Sequence, residues 1–413
     1  MTSHGAEAKV SNAQEADFAK FGNGPSWALN DTIGKVDSSP LLIFFASCER
    51  LIYIRLNTKF HPTLFCQRIM SDFISAPQFE GYVFQLTERA LEPENIVSGK
   101  CFLCGCQPTS GGGEHVIPKW LQKRFDLWDD KLVLLNGSFL PYRNLRVPAC
   151  AKCNGEILSS TEGCVSRLSA ADISNWTASD SYEVGRWMAK ILLGFLYKEA
   201  TLLRDRRNPA LGTIFPPHAM DEMFLLHLLV QSWRKKIQFR TLHTQHPFTL
   251  YVYPLSRDPN YGEFNLSTNI FGKSICMRFG DLGFAFVGDG GLQHEMENLG
   301  PYRLARQHLH PIQFDELAAR IHYKSTLRDA THRYVNSEDP KTFLFQQTAV
   351  VPYSKHKLSD GSDRVFQQWS DEELAKMFER YNVPGFEHLI NEAGEASYTR
   401  LVDERGQKLS LTG

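Results

Sequence analysis

Two C-x-x-C pairs, Cys101 with Cys104 and Cys150 with Cys153, carry the most chemistry in this chain. Each pair can wrap one side of a soft tetrahedral cation. Four thiolates that leave no open position make a structural Zn²⁺ site rather than a catalytic one. Cys106 leaves open which sulfur of the first group ligates. Between the pairs runs Gly111-Gly112-Gly113-Glu114-His115-Val116-Ile117-Pro118. Neighbouring residues of a strand point to opposite faces, so Glu114 and His115 are expected to do different jobs, one touching a metal and the other water. Asn154 follows Cys153 directly, so a bound zinc would fix its backbone. Glu162 lies further along, and on a helix that step leaves the two side chains about 80° apart, able to share one flank. Taken singly, each residue has a plainer role: a structural histidine, a helix-capping asparagine, a solvated glutamate.

Positioning such groups needs a short strand at Glu114-His115 and a helix opening after Asn154. The wider pattern is α+β. Tyr182 to Asp205 carries Val184, Trp187, Met188, Ile191, Leu192, Phe195 and Leu196 at helical spacing, with Asn208-Pro209 as its stop. His218 to Lys235 is a second apolar helix, and the two form a helical hairpin. From Ile237 to Val287, short β-branched and aromatic segments between turn clusters predict an antiparallel sheet. Phe314 to Arg328 returns to helix, and Ser370-Asp371-Glu372-Glu373 opens another that runs to about Tyr381. Residues 1–38 read as a flexible polar arm, and 39–99 as an N-terminal α+β cap with a hairpin around Cys48-Glu49-Arg50 and a helix over His61 to Ile74. The zinc-braced segment is 100–168, and 180–413 is a C-terminal α+β domain for target or partner recognition.

Cys101 and Cys104, Glu114 through Leu121, Cys150 through Asn154, and Ser159 with Glu162 resemble, in that order, the HNH endonuclease family. The matching branch reads C-x-x-C, E-H-[VI]-[IF]-P-K-W-L, C-x-x-C-N, S-x-x-E. The resemblance spans only residues 101–162. It implies a ββα-metal centre braced by the four-cysteine zinc, DNA phosphodiester hydrolysis, and service in mobile elements, restriction or antiphage defence. Carried over by motif position, His115 is the general base, and Glu114 and Asn154 bind the catalytic divalent ion. Glu162 stands where the family has its final His; a carboxylate there suits Mg²⁺ or Mn²⁺. Asn154 is preferred to Asn144 as the middle asparagine.

The whole chain has 45 basic and 46 acidic side chains, so no global field draws it to nucleic acid and local patches must do so. Lys119, beside the Glu-His motif, and the run Trp233-Arg234-Lys235-Lys236 are the candidates, with Arg204, Arg206 and Arg207 ending the preceding helix. DNA is the expected partner, RNA remains open, and a protein partner or a homo-oligomer fits equally. Reduced thiols, no secretory signal and no membrane-length apolar run point to a soluble cytoplasmic protein. Two rivals stand beside the nuclease: a non-catalytic zinc-ribbon module that binds nucleic acid or protein, and a thiol-redox protein using Cys101 and Cys104. His308, His310, His322 and His332 raise the weaker prospect of a second metal site.

Overall fold

A computed structural model of the chain describes residues 42–47, 50–55, 92–108, 113–242, 244–291, 304, 307–339, 342–353, 365–403 and 405–411. Two compact units divide it: Asp17–Gln85, and a larger one containing Leu86–Gly413. Within the first, β1 (Leu42–Ser47) and β2 (Arg50–Arg55) pair antiparallel with Ser47 opposite Arg50, a hairpin where the two apolar runs predict one. The helix expected over His61 to Ile74 lies outside the described residues. The larger unit is mixed helix and sheet.

The larger unit opens with α1 (Pro93–Val97), then the short strand β3 (Glu114–His115) and α2 (Lys119–Arg124). A small hairpin of β4 (Lys131–Val133) and β5 (Phe139–Pro141) follows. β6 (Arg146–Val147) then returns to pair antiparallel with β3, Glu114 facing Val147 and His115 facing Arg146. The chain next winds through a π-helical stretch, Lys152–Leu158, into α3 (Ser159–Val165). The second C-x-x-C thus lies between β6 and α3, the helix that follows it.

The long helix α4 (Ala178–Ala200) starts at Thr177, whose hydroxyl caps the backbone N–H of Asp180. It ends eight residues before Asn208-Pro209, so the proline is not its stop; Thr201 is the C-cap, and a 3₁₀ turn takes Pro209–Leu211. Its interior is buried on nearly every side, Arg186 and Lys190 included, because structure packs all round it. Two glycines allow the closest approaches. A Cβ on Gly185 would stand 2.1 Å from the Phe248 ring, and one on Gly194 would stand 3.0 Å from the Val116 methyls. α5 (Phe224–Gln231), shorter than the expected His218 to Lys235 because Pro217–Met223 forms 3₁₀ turns, packs against α4.

Four strands, β8 (Thr249–Pro254), β9 (Phe264–Asn269), β10 (Ser274–Phe279) and β11 (Leu282–Val287), form an antiparallel sheet in the order β8-β11-β10-β9. Alternate residues serve two cores. Tyr251, Tyr253, Cys276, Ala285 and Val287 pack on Phe314, Leu317 and Ile321 of α6 (Pro311–Thr326). Facing the other way, Phe279 meets Trp187 of α4, and Phe286 meets Phe248. Covering both faces explains why these strands read as nearly unbroken apolar runs. The second flank of α6 packs on α7 (Asp371–Arg380), whose start is capped by the Ser370 hydroxyl accepting from Glu373 N–H. β7 (Ile237–Arg240) runs parallel to β13 (Thr342–Pro352), which pairs antiparallel with β12 (Ala330–Asp339). No described helix is long and apolar enough to cross a membrane.

Candidate functional site

The four cysteines converge. Sulfurs of Cys101, Cys104, Cys150 and Cys153 lie within 4.8 Å of one another, with 3.7 Å between those of Cys104 and Cys150. A tetrahedral zinc with Zn–S bonds of about 2.3 Å needs sulfurs about 3.8 Å apart, so the donor set fits. Cys106 is exposed and stands outside the cluster, which decides between the first-group sulfurs. Backbone bonds stitch the knuckles. Gly105 N–H reaches Cys101 O at 2.8 Å with Gly105 at φ +70°, and Phe102 N–H reaches Pro148 O at 2.9 Å across the two pairs. Hydrogen bonding to Cys101 and Cys104, together with burial, holds the Cys153 thiol far above its ordinary range. A cation at the centre would relieve that, since metal-bound thiols are deprotonated.

Glu114 and His115 part company across β3. The Glu114 carboxylate is paired with the ammonium of Lys190, from the middle of α4. That ammonium also reaches Glu162 Oε1 at 3.0 Å, His115 O at 3.1 Å and Val116 O at 3.4 Å. The side chains of Lys190, Glu114 and Glu162 are 1%, 7% and 20% exposed. A lone charge at such depth costs several kcal/mol, so four oxygens around one cation is what burial demands. Burial alone would lower the Lys190 pKa, but the two carboxylates outweigh it and the net shift is upward. Glu162 is pushed up to about 7, by burial first, with Lys190 opposing and the Glu114 charge adding.

Asn154 sits on the π-helical stretch, where the altered winding replaces the 80° phase expected of an α-helix. Its Nδ2 donates to Gly113 O at 3.3 Å, and Arg146 Nη2 donates to the same carbonyl at 3.3 Å. Asn154 therefore neither caps the helix nor joins Glu114 and Glu162 in their bonds to Lys190. Asn144, the alternative, is exposed in a 3₁₀ turn.

The His115 ring is buried against Trp128, ring centres 5.8 Å apart, and lies 3.3 Å from Gln122 Nε2 at its Nδ1. Gln122 Nε2 also donates to Ile117 O at 2.7 Å, which fixes the amide's orientation. Its second N–H then faces Nδ1, making Nδ1 the acceptor and leaving the ring proton on Nε2. Burial first, then the positive charges of Arg146 and Lys119, lower the imidazole to about 4, so it is neutral at pH 7. Lys119 and Arg146 are exposed, and Trp128 is 36% exposed, giving the ring a cationic and aromatic rim.

The basic run lies behind the first knuckle. Gln231 Nε2 donates to Leu103 O, between Cys101 and Cys104, while Gln231 Oε1 accepts from Arg234 at 2.9 Å. Arg234 and Lys235 are half-buried, and Lys236 is exposed where the chain enters β7. Arg204 and Arg206 line a cavity of about 410 Å³ with Asn136, Phe139 and Leu140. The histidines considered for a second metal have separate duties. His310 caps α6 and pairs with Asp258, His322 is held by Ser267 and Ser274 in the core, and His332 bonds Asp289 O. Among the described residues the cysteine set is the single group of three or more clustered ligands.

Lys190, Gln122, Arg146 and Trp128 escaped the reading by spacing. Only Lys190 left a signal, a lone lysine inside an apolar helical stripe. No family model, curated protein or solved structure matches this chain.

Proposed function

We propose that this chain is a metal-dependent endonuclease of the HNH type that hydrolyses DNA phosphodiester bonds. The observation that carries the reading is local: a paired β3–β6, a following helix, and a four-sulfur cluster at their joint, with His115 neutral at pH 7 beneath a rim of Lys119, Arg146 and Trp128. Such a rim can meet a phosphate and a base together. Glu114 and Glu162, with Asn154 nearby on the same segment, would hold a hard divalent ion that supplies charge neutralisation at the phosphate. His115 would take the proton from water. Because its Nδ1 faces a Gln122 N–H, base action at Nε2 requires that amide to turn over and aim its oxygen, buried and without a partner, at the ring.

Lys190 favours a second reading, the non-catalytic zinc module, since its ammonium already stands between both carboxylates where the ion would have to sit. Plasmid nicking separates the two. With Mg²⁺ or Mn²⁺ the wild-type chain is expected to nick, EDTA to stop it, and His115→Ala to slow it at least about 100-fold. Equal nicking by wild type and His115→Ala removes the catalytic assignment.

A further inference from the structure

The oxygen cage around Lys190 is an assembled cation site. Two carboxylates and two backbone carbonyls, supplied by two separate stretches of chain, converge on one Nζ from a third, deep in the molecule. Carboxylates and carbonyls are also the donors that hard divalent ions choose. We propose that Lys190 is a resident competitor for the divalent ion: it holds the Glu114–Glu162 cage closed and couples metal binding to the arrival of a phosphodiester. This inference rests on the metal ligands assigned above, not on cleavage.

The balance of charge gives that coupling its direction. One ammonium between two carboxyl groups leaves the cage no more negative than −1, so adding a divalent ion would bring it to +1 or above in a buried place, with like charges as neighbours. A phosphodiester contributes −1 and brings the total back toward zero. In such surroundings an unbalanced charge is far costlier than in water. The ion should therefore bind weakly to the free protein and more tightly beside a phosphate, and by linkage the phosphate should bind more tightly beside the ion. Removing the ammonium's charge takes away the competitor and leaves a more negative cage able to hold the ion unaided. The charged groups facing one another in the cage are Lys190, Glu114 and Glu162, while Lys119 and Arg146 act on His115 across the strand.

The test is Mn²⁺ binding to the zinc-loaded full chain, followed by electron paramagnetic resonance of the free ion. Lys190→Gln keeps a polar group for the His115 and Val116 carbonyls and is expected to bind Mn²⁺ at least about tenfold more tightly than wild type. A non-cleavable phosphorothioate oligonucleotide should tighten Mn²⁺ binding to wild type and have little effect on Lys190→Gln. Glu162→Gln, which leaves Lys190 with one carboxylate partner, should weaken Mn²⁺ binding about tenfold or more and stays informative should the lysine variant misfold. Equal Mn²⁺ affinity in wild type and Lys190→Gln, or Mn²⁺ binding unchanged by Glu162→Gln, overturns the proposal. A chain that cuts no DNA yet shows the lysine-variant gain loses the nuclease reading and keeps this one.

Discussion

Glu199 is buried at the end of α4 and accepts the Leu135 N–H at 2.9 Å. Burial lifts its carboxyl to about 8, against an ordinary value of 4.5. A group with a raised folded-state value supports the fold fully below pH 4.5. That support drains away as pH rises and is gone above about 8, where the buried form must ionise. Glu199→Gln can still accept from Leu135, so it is expected to match wild type near pH 5 and to exceed it near pH 9. The gain should be on the order of 4 kcal/mol, since a tenfold change in an ionisation constant corresponds to about 1.4 kcal/mol and about three such steps fall between pH 5 and 8. Urea unfolding at the two pH values measures it; a constant difference between the proteins would disprove the assignment. At the imidazole, Gln122→Glu replaces a donor by an acceptor opposite Nδ1. Nitrogen-15 shifts of His115 should show an Nε2–H ring in wild type and an Nδ1–H ring in the variant, and an unchanged pattern would mean that Gln122 does not choose the tautomer.

At the scale of elements, α4 is the part that brings the others into register. Gly194 lets the Val116 stretch lie close, so that Lys190, one turn earlier on α4, reaches Glu114 and the carbonyls of residues 115 and 116. Gly185 admits Phe248, which stacks on Tyr182 and His246. Gly185→Ala is therefore expected to destabilise by about 3 kcal/mol or more, because a stacked ring cannot retreat. Gly194→Ala should stay within about 1 kcal/mol of wild type, since better helix propensity offsets a contact that the valine can ease. Chemical denaturation orders the two, and the reverse order would contradict the close approaches. The strands of the main sheet were readable because alternate residues of FTLYVYP, KSICMRFG and LGFAFVG are apolar on both faces and turn residues separate them. The cysteine spacing made the four-sulfur cluster readable, and Glu114-His115 the short strand beside it. What spacing could not show was α4 entering that centre: Lys190 is 76 residues from Glu114, and long-range contact leaves no local period.

On the scale of the whole molecule, the centre is expected to depend on the elements packed around it. Residues 100–168 and 180–413, expected as separate domains, belong to one compact unit. Tyr197 of α4 donates to Lys100 O at 2.8 Å, Trp187 stacks on Trp120, and Gln231 reaches the first knuckle. A fragment of residues 100–168 loaded with zinc is expected to keep its metal yet show poor amide dispersion by NMR, whereas the full chain should be well dispersed. A sharp, fully folded spectrum from the short fragment would refute this dependence. Under the proposed DNA binding, the near balance of 45 basic and 46 acidic groups leaves the attraction to the local rim, and two cations there give a shallow salt dependence, a slope of about −2 in log affinity against log salt.

The order of these segments along the chain carries a consequence in time. A ribosome makes Cys101 through Cys153 before Lys190, and domains assemble from the amino end as they emerge. The four sulfurs can thus capture their ion on the nascent polypeptide while Glu114 and Glu162 still face water. Sealing of the acidic pair is then the later event, set by when the long helix leaves the exit tunnel and docks.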